Sequence, residues 1–137
     1  MFPKDTRILV CDDMPTIRDM VGGELRRLGY TKIVFAEDGA LGWRYYEQLL
    51  QQEPVGLVIS DWNMPNMTGF EFLQKVRGYS ERAQTPFILL TAEGQKEQVL
   101  DAIAAGVTQY ILKPFSSKSF EEKLKLAWQK FAGSQVA

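Results

Sequence analysis

The 137 residues are 45% hydrophobic, carry 16 Lys and Arg against 17 Asp and Glu, and include one cysteine and no histidine. A formal charge of −1 and a pI near 5.5 exclude the basic stripe of a nucleic-acid footprint, and the lone Cys11 excludes an internal disulfide or a multi-cysteine zinc site. Without imidazole there is no Ser-His-Asp or Cys-His nucleophile pair, no His-ligated zinc or iron and no phosphohistidine on this chain, which leaves carboxylates, lysine, hydroxyls and an oxygen-loving metal.

In chain order, residues 7–11 (RILVC) read as a short buried strand. Ile17, Met20, Val21, Leu25 and Leu28 follow as the apolar stripe of a helix, with Pro15 near its first turn and Gly29 at its end. Residues 32–36 (KIVFA) are a second strand, 37–39 a turn, and 40–51 a helix with Leu41, Trp43, Tyr45, Tyr46, Leu49 and Leu50 on a broad apolar face. After Pro54, residues 55–60 (VGLVIS) form a third strand ending at Asp61, and 62–69 (WNMPNMTG) have the composition of a loop. Phe70, Phe72, Leu73 and Val76 start a short helix that Gly78 stops. Pro86 introduces a fourth strand, PFILLT. A helix over 94–105 turns Val99, Ala102 and Ile103 inward and closes at Gly106. Residues 108–112 (TQYIL) make a fifth strand. Ser116 or Ser117 caps a last helix carrying Phe120, Leu124, Ala127 and Phe131, and the tail GSQVA is expected to fray.

Strict alternation of helices with strands that are apolar on both faces predicts a doubly wound α/β domain: a five-stranded parallel sheet covered by helices on both sides. Repeats, low-complexity tracts and linkers are absent from the sequence, so residues 1–137 are expected to form a single domain. The start MFPKDTRILVC lacks a signal-peptide pattern, and no window approaches the roughly 18 apolar residues of a membrane span. The expectation is a cytoplasmic domain with neither nucleic-acid binding nor membrane insertion.

Ligands of such sheets bind beyond the C-terminal strand ends, where the strand order reverses. Asp12 and Asp13 follow the first strand, Asp61 the third, Thr91 closes the fourth, and Lys113-Pro114 follows the fifth. Each has an ordinary use when taken alone: helix cap, Asx-turn, strand-end hydroxyl, solvated lysine. Five of them together at strand C-termini favour a shared pocket. Three ionised carboxylates against one ammonium leave a local charge of −2, which suits Mg²⁺, or Mn²⁺, with a phosphoryl oxygen beside it. No P-loop or G-x-G-x-x-G motif is present. An Asp-x-Asp phosphatase loop would need a carboxylate where Asn63 stands, and the methionines at 14, 20, 64 and 67 read as core or loop filler.

From about Ile8 to Phe131 the chain resembles the receiver domain of two-component response regulators, most closely its stand-alone chemotaxis members. Cys11-Asp12-Asp13, ISDWNMPNMTG (59–69), Leu90-Thr91-Ala92-Glu93 and Tyr110-Ile111-Leu112-Lys113-Pro114-Phe115 carry the likeness. The resemblance implies a flavodoxin-like strand order 2-1-3-4-5. It also implies that Asp61 accepts a phosphoryl group from a histidine kinase, without multiple-turnover enzyme activity. Mg²⁺ would be held by Asp13, Asp61 and the backbone carbonyl of Asn63, with Asp12 acting mainly through water. Thr91 and Lys113 would contact the phosphoryl oxygens, the Lys113–Pro114 peptide would be cis, and Tyr110 would move with Thr91 as a switch pair. Asn63 and Glu93 would tune the phosphoryl lifetime. The implied partners are that kinase, a downstream target such as the flagellar motor switch, and a phosphatase. The implied contact surface is Lys96, Val99, Ile103, Tyr110, Leu112 and Lys123. Thr68 stands where the family usually has Asp, with an effect expected only on the loop turn, and Leu126 where some chemotaxis members have Lys. A phosphorelay intermediate, a metal-dependent aspartyl phosphatase and a non-phosphorylated interaction module are the alternatives.

Overall fold

The structure is a computed structural model that describes residues 1–79, 84–92 and 95–136. Its strands are β1 (Ile8–Cys11), β2 (Ile33–Ala36), β3 (Leu57–Asp61), β4 (Phe87–Ala92) and β5 (Gln109–Lys113). They alternate with α1 (Pro15–Arg27), α2 (Gly39–Leu49), α3 (Gly69–Gly78), α4 (Lys96–Ala104) and α5 (Ser117–Val136). All strand pairs are parallel, in the order β2-β1-β3-β4-β5, as the alternation and the family resemblance imply. Among the described residues, no helix is long and apolar enough to cross a membrane.

Side chains of a strand point alternately to opposite faces, so each central strand supplies two cores. Ile8, Val10, Leu57, Ile59, Ile88 and Leu90 meet Val21, Leu25, Phe120 and Leu124 on one face. Leu9, Cys11, Val58, Phe87 and Leu89 meet Tyr46, Phe72, Leu73 and Val76 on the other. Both faces of β1, β3 and β4 are covered, which explains why these strands read as unbroken apolar runs.

Several elements depart from the sequence expectation. The third and fifth strands end one residue later, so Asp61 and Lys113 are the last residues of β3 and β5 and take their direction from the sheet. On α1, Met20 is 48% exposed, because the helix packs through Ile17, Val21, Leu25 and Leu28 at offsets of four and three, leaving Met20 on the flank. On α4, Ile103 is 57% exposed and Ala102 is the buried residue. This helix turns small residues, Ala102 and Ala105, toward the sheet and leaves Leu100 and Ile103 outward. Thr68 is more than part of a turn. It caps α3 in a capping box: its hydroxyl accepts from the Glu71 N–H while the Glu71 carboxylate accepts from the Thr68 N–H. Ser116 is the residue that caps α5, exchanging hydrogen bonds with Ser119. The tail expected to fray is helical through Val136, with the Ser134 hydroxyl bonded back to the Phe131 carbonyl.

At the N-terminal edge of the sheet, Arg77 ties three segments together. Its Nε donates to the Gly106 carbonyl at 2.8 Å, Nη1 to the Thr85 carbonyl at 2.6 Å and Nη2 to the Thr108 hydroxyl at 3.2 Å. That hydroxyl in turn accepts from the Phe87 N–H. At the opposite edge, α3 starts hard against the end of β3. A Cβ on Gly69 would lie 2.1 Å from the Asp61 carbonyl oxygen, whereas one on exposed Gly23 in α1 would meet nothing within 4 Å. Gly69→Ala is therefore expected to lower the unfolding free energy by about 1–3 kcal/mol, since backbone must move. Gly23→Ala is expected to raise it by about 0.5–1 kcal/mol through helix propensity. Urea titration of both variants checks the pair.

Candidate functional site

The register aligns the strand ends at the carboxyl edge: Asp61 lies opposite Leu90, and Ala92 opposite Lys113. Asp12 and Asp13 continue from β1 onto the same edge, beside β3. Asp12 is fully buried, Asp61 is 7% exposed, and Asp13 is open to solvent. One carboxylate oxygen from each of the three lies within 4.8 Å of the others. The Lys113 ammonium reaches across from β5, 2.9 Å from Asp61 Oδ1 and 3.7 Å from Asp12 Oδ2. The Lys113–Pro114 peptide is cis, as the family resemblance implies. Thr91 is buried on β4 between them in the strand order.

Neither Asp12 nor Asp13 is the cap of α1. Met14 occupies that position without a side-chain hydrogen bond, and Asp12 Oδ1 accepts from the Met14 N–H at 2.9 Å. The other oxygen, Asp12 Oδ2, is buried with no hydrogen-bond donor. Burial pushes the Asp12 carboxyl up to about 6, reinforced by the Asp61 charge and opposed by the Met14 N–H and Lys113. Burial also raises Asp61, against the pull of the Lys113 ammonium and the Trp62 N–H. Burial raises the neighbouring Cys11 thiol as well, which keeps it protonated and unreactive.

Three hard oxygen donors, one of them a buried oxygen without a donor, and an uncompensated local negative charge fit a small divalent cation such as Mg²⁺ or Mn²⁺. Asn63 follows two residues after Asp61 in an exposed loop. That loop is fastened to α2: Asn66, in the left-handed region at φ 68°, donates from Nδ2 to Asp38 Oδ2, while the other Asp38 oxygen caps α2 at the Leu41 N–H. Glu93 lies outside the described residues.

The remaining predicted residues are on the α4–β5–α5 side. Tyr110 is half-buried on β5, an edge strand, with the Lys123 ammonium 4.5 Å from its ring centroid. Lys96 is exposed, Val99 is half-buried, and Ile103 and Leu112 are 57% and 41% exposed. Two side chains escaped the sequence reading. Arg18 of α1 donates from Nη1 to the Asp12 carbonyl at 2.6 Å. Gln98 of α4 accepts the Thr91 hydroxyl at 3.3 Å. Gln98, Ala102 and Ala105 sit at offsets of four and three, a helical stripe that would have pointed Gln98 inward had small residues been counted as a packing face.

Residues 8–125 match the response regulator receiver domain family. A chemotaxis protein CheY homolog of Campylobacter jejuni is 40% identical over 119 residues, covering 87% of this chain and 89% of that protein. Chemotaxis protein CheY1 of Helicobacter pylori is 40% identical over 120 residues, covering 88% and 94%. The solved structure of the chemotaxis response regulator CheY4 of Vibrio cholerae superposes with a TM-score of 0.78 at 34% identity, covering 90% of this chain and 98% of that one. The acidic edge with its reaching lysine, the 2-1-3-4-5 sheet and these likenesses agree: the chain belongs to the response regulator receiver family, a family of signalling proteins, and its relatives include chemotaxis proteins of the CheY type.

Proposed function

We infer that this receiver domain is a phosphoacceptor switch in a chemotaxis pathway, taking a phosphoryl group from a histidine kinase onto Asp61 and then engaging a downstream protein such as the flagellar motor switch. The observation that carries the reading is the Lys113 ammonium 2.9 Å from a nearly buried Asp61 within a three-carboxylate cluster. The relatives' chemotaxis names support the pathway.

In the proposed step an Asp61 carboxylate oxygen forms a bond to phosphorus as the phosphorus–nitrogen bond to the partner's imidazole breaks. The imidazole leaves with the electron pair of that bond. Lys113 stands where its charge offsets the oxygens of the arriving group, and the Thr91 hydroxyl, bonded to Gln98 in this structure, would be the neutral donor to them. Asp12, Asp13 and Asp61 would hold Mg²⁺ together with the Asn63 carbonyl. Bound there, the ion supplies positive charge against the carboxylates and the phosphoryl oxygens. Tyr110 and the surface of Lys96, Val99, Ile103, Leu112 and Lys123 form the proposed output face, apolar and basic, suited to an amphipathic acidic segment.

Incubation with a small-molecule phosphodonor and Mg²⁺ is expected to raise the intact mass by one phosphoryl group, and Asp61→Asn to abolish the increase. An unchanged mass in the parent protein would overturn the reading.

Proton linkage gives a second expectation. Burial pushes the folded-state pKa of Asp12 up to about 6, above the 3.8 of an ordinary aspartate. Its favourable contribution to cation-free stability is thus complete below pH 3.8 and disappears as pH rises through about 6. Asp61 shifts in the same direction. The cation-free protein is expected to melt at a higher temperature at pH 5.5 than at pH 7.5, and saturating Mg²⁺ to raise Tm more at pH 7.5, where protons do not compete for Asp12. Thermal scans at the two pH values, with and without the cation, measure both effects.

A further inference from the structure

A threonine hydroxyl has one proton to donate. In this structure the Thr91 proton is committed outward, to Oε1 of Gln98 on α4 at 3.3 Å. Phosphoryl oxygens are acceptors only, so Thr91 can donate to a phosphoryl group on Asp61 only by withdrawing that proton from Gln98. The helix that holds Gln98 is lightly anchored. Ala102 is its single buried residue, whereas α1 and α2 bury three each and α3 four. Its N-cap residue, Gln95, makes no side-chain capping hydrogen bond. Leu100 and Ile103 are both 57% exposed. The Thr91–Gln98 bond therefore links the buried pocket to the first half of a helix that buries a single residue.

We propose that Gln98 is a positioning residue that competes with the phosphoryl group for the Thr91 proton, restraining both Thr91 and α4 until Asp61 is modified. The inference rests on the phosphoacceptor reading and adds to it a specific competitor. Losing the Gln98 acceptor makes phosphoryl binding stronger, because the bond to be broken is already absent. Restoring it ties α4 back to β4. The coupling is reciprocal, so whatever pulls Gln98 away from β4 also frees Thr91 for the pocket.

Beryllofluoride, a tetrahedral stand-in for the phosphoryl group on a carboxylate, tests this without phosphate turnover. Its apparent affinity in saturating Mg²⁺, read by ¹⁹F NMR, is compared in six proteins: the parent, Gln98→Met, Thr91→Ala, Thr91→Ser and each Thr91 variant combined with Gln98→Met. Methionine keeps the length of the glutamine side chain and has only a weak acceptor. Gln98→Met is expected to tighten binding roughly two- to ten-fold, the range of one net hydrogen bond. In the Thr91→Ala background the same change is expected to shift binding by less than about two-fold, since the contested proton is gone. In a Thr91→Ser background, which keeps the hydroxyl, the tightening is expected to return. A purely structural role would give the same shift in every background. That result, or no shift beside Thr91, would overturn the inference while leaving the phosphoacceptor reading intact. Failure of the parent protein to bind beryllofluoride with Mg²⁺ would overturn both.

Discussion

Two carboxylates, Asp12 and Asp61, are buried next to one another where parallel strands end, and the Lys113 ammonium stands against both. Like charges a few ångströms apart repel by about 4 kcal/mol at an effective dielectric near 20, and desolvation adds to that cost. A purely structural use would have replaced one of them by an amide or an apolar side chain. Keeping both, with a buried Asp12 oxygen that no donor satisfies, maintains an edge whose charge is incomplete without a cation or a positively assisted ligand. The rest of the fold follows from holding that edge in place. Parallel strands bring their carboxyl ends to one side, and the 2-1-3-4-5 order sets β1 beside β3, so that Asp12 and Asp61 come from adjacent strands.

Both faces of the sheet support this arrangement. Each central strand is buried on two sides, so the ends cannot tilt without disturbing Val10 and Ile59 on one face or Cys11 and Val58 on the other. The start of α3 is fixed by contact, since Gly69 allows the helix to approach the Asp61 carbonyl closely. The Asp38–Asn66 hydrogen bond then fastens the connecting loop to the start of α2. The charged groups are therefore set on rigid strand ends, while the uncharged donor, Thr91, is bonded to a weakly anchored helix. Within one pocket the charged groups and the hydroxyl that the proposed switch would redirect have separate supports.

The fold was legible because its signals were local and redundant. Apolar runs flanked by Pro, Gly and Asp marked the strands, and the strict alternation left little topological freedom. The pocket was legible because five chemically distinctive residues fell at strand ends. Other features depended on which side of a helix met the sheet. Met20 and Ile103 fitted an apolar stripe, yet neither is inward. On α4 the buried contact belongs to alanine, and hydrophobicity alone does not distinguish a close approach through small residues from an exposed apolar face meant for another surface. The bonds of Arg18 and Gln98 were invisible for a different reason. Both are polar residues on helices, and their partners are set by tertiary geometry rather than by spacing along the chain. Thr68 carries a hydroxyl where the family resemblance implies a carboxylate, and a hydroxyl caps a helix as well.

Arg77 gives this arrangement a mechanical consequence. Its guanidinium holds the Gly106 carbonyl, two residues beyond the C-terminal end of α4, and fastens it to the segments that lead into β4 and β5. One end of α4 is thus a fulcrum, and the opposite end carries the Gln98 contact to the pocket. In the proposed switch, a small movement at the pocket would become rotation of a lever rather than translation of a whole helix, with Leu100 and Ile103 along its length. Under that proposal the domain would be read at its surface by angle, while its sheet stays still.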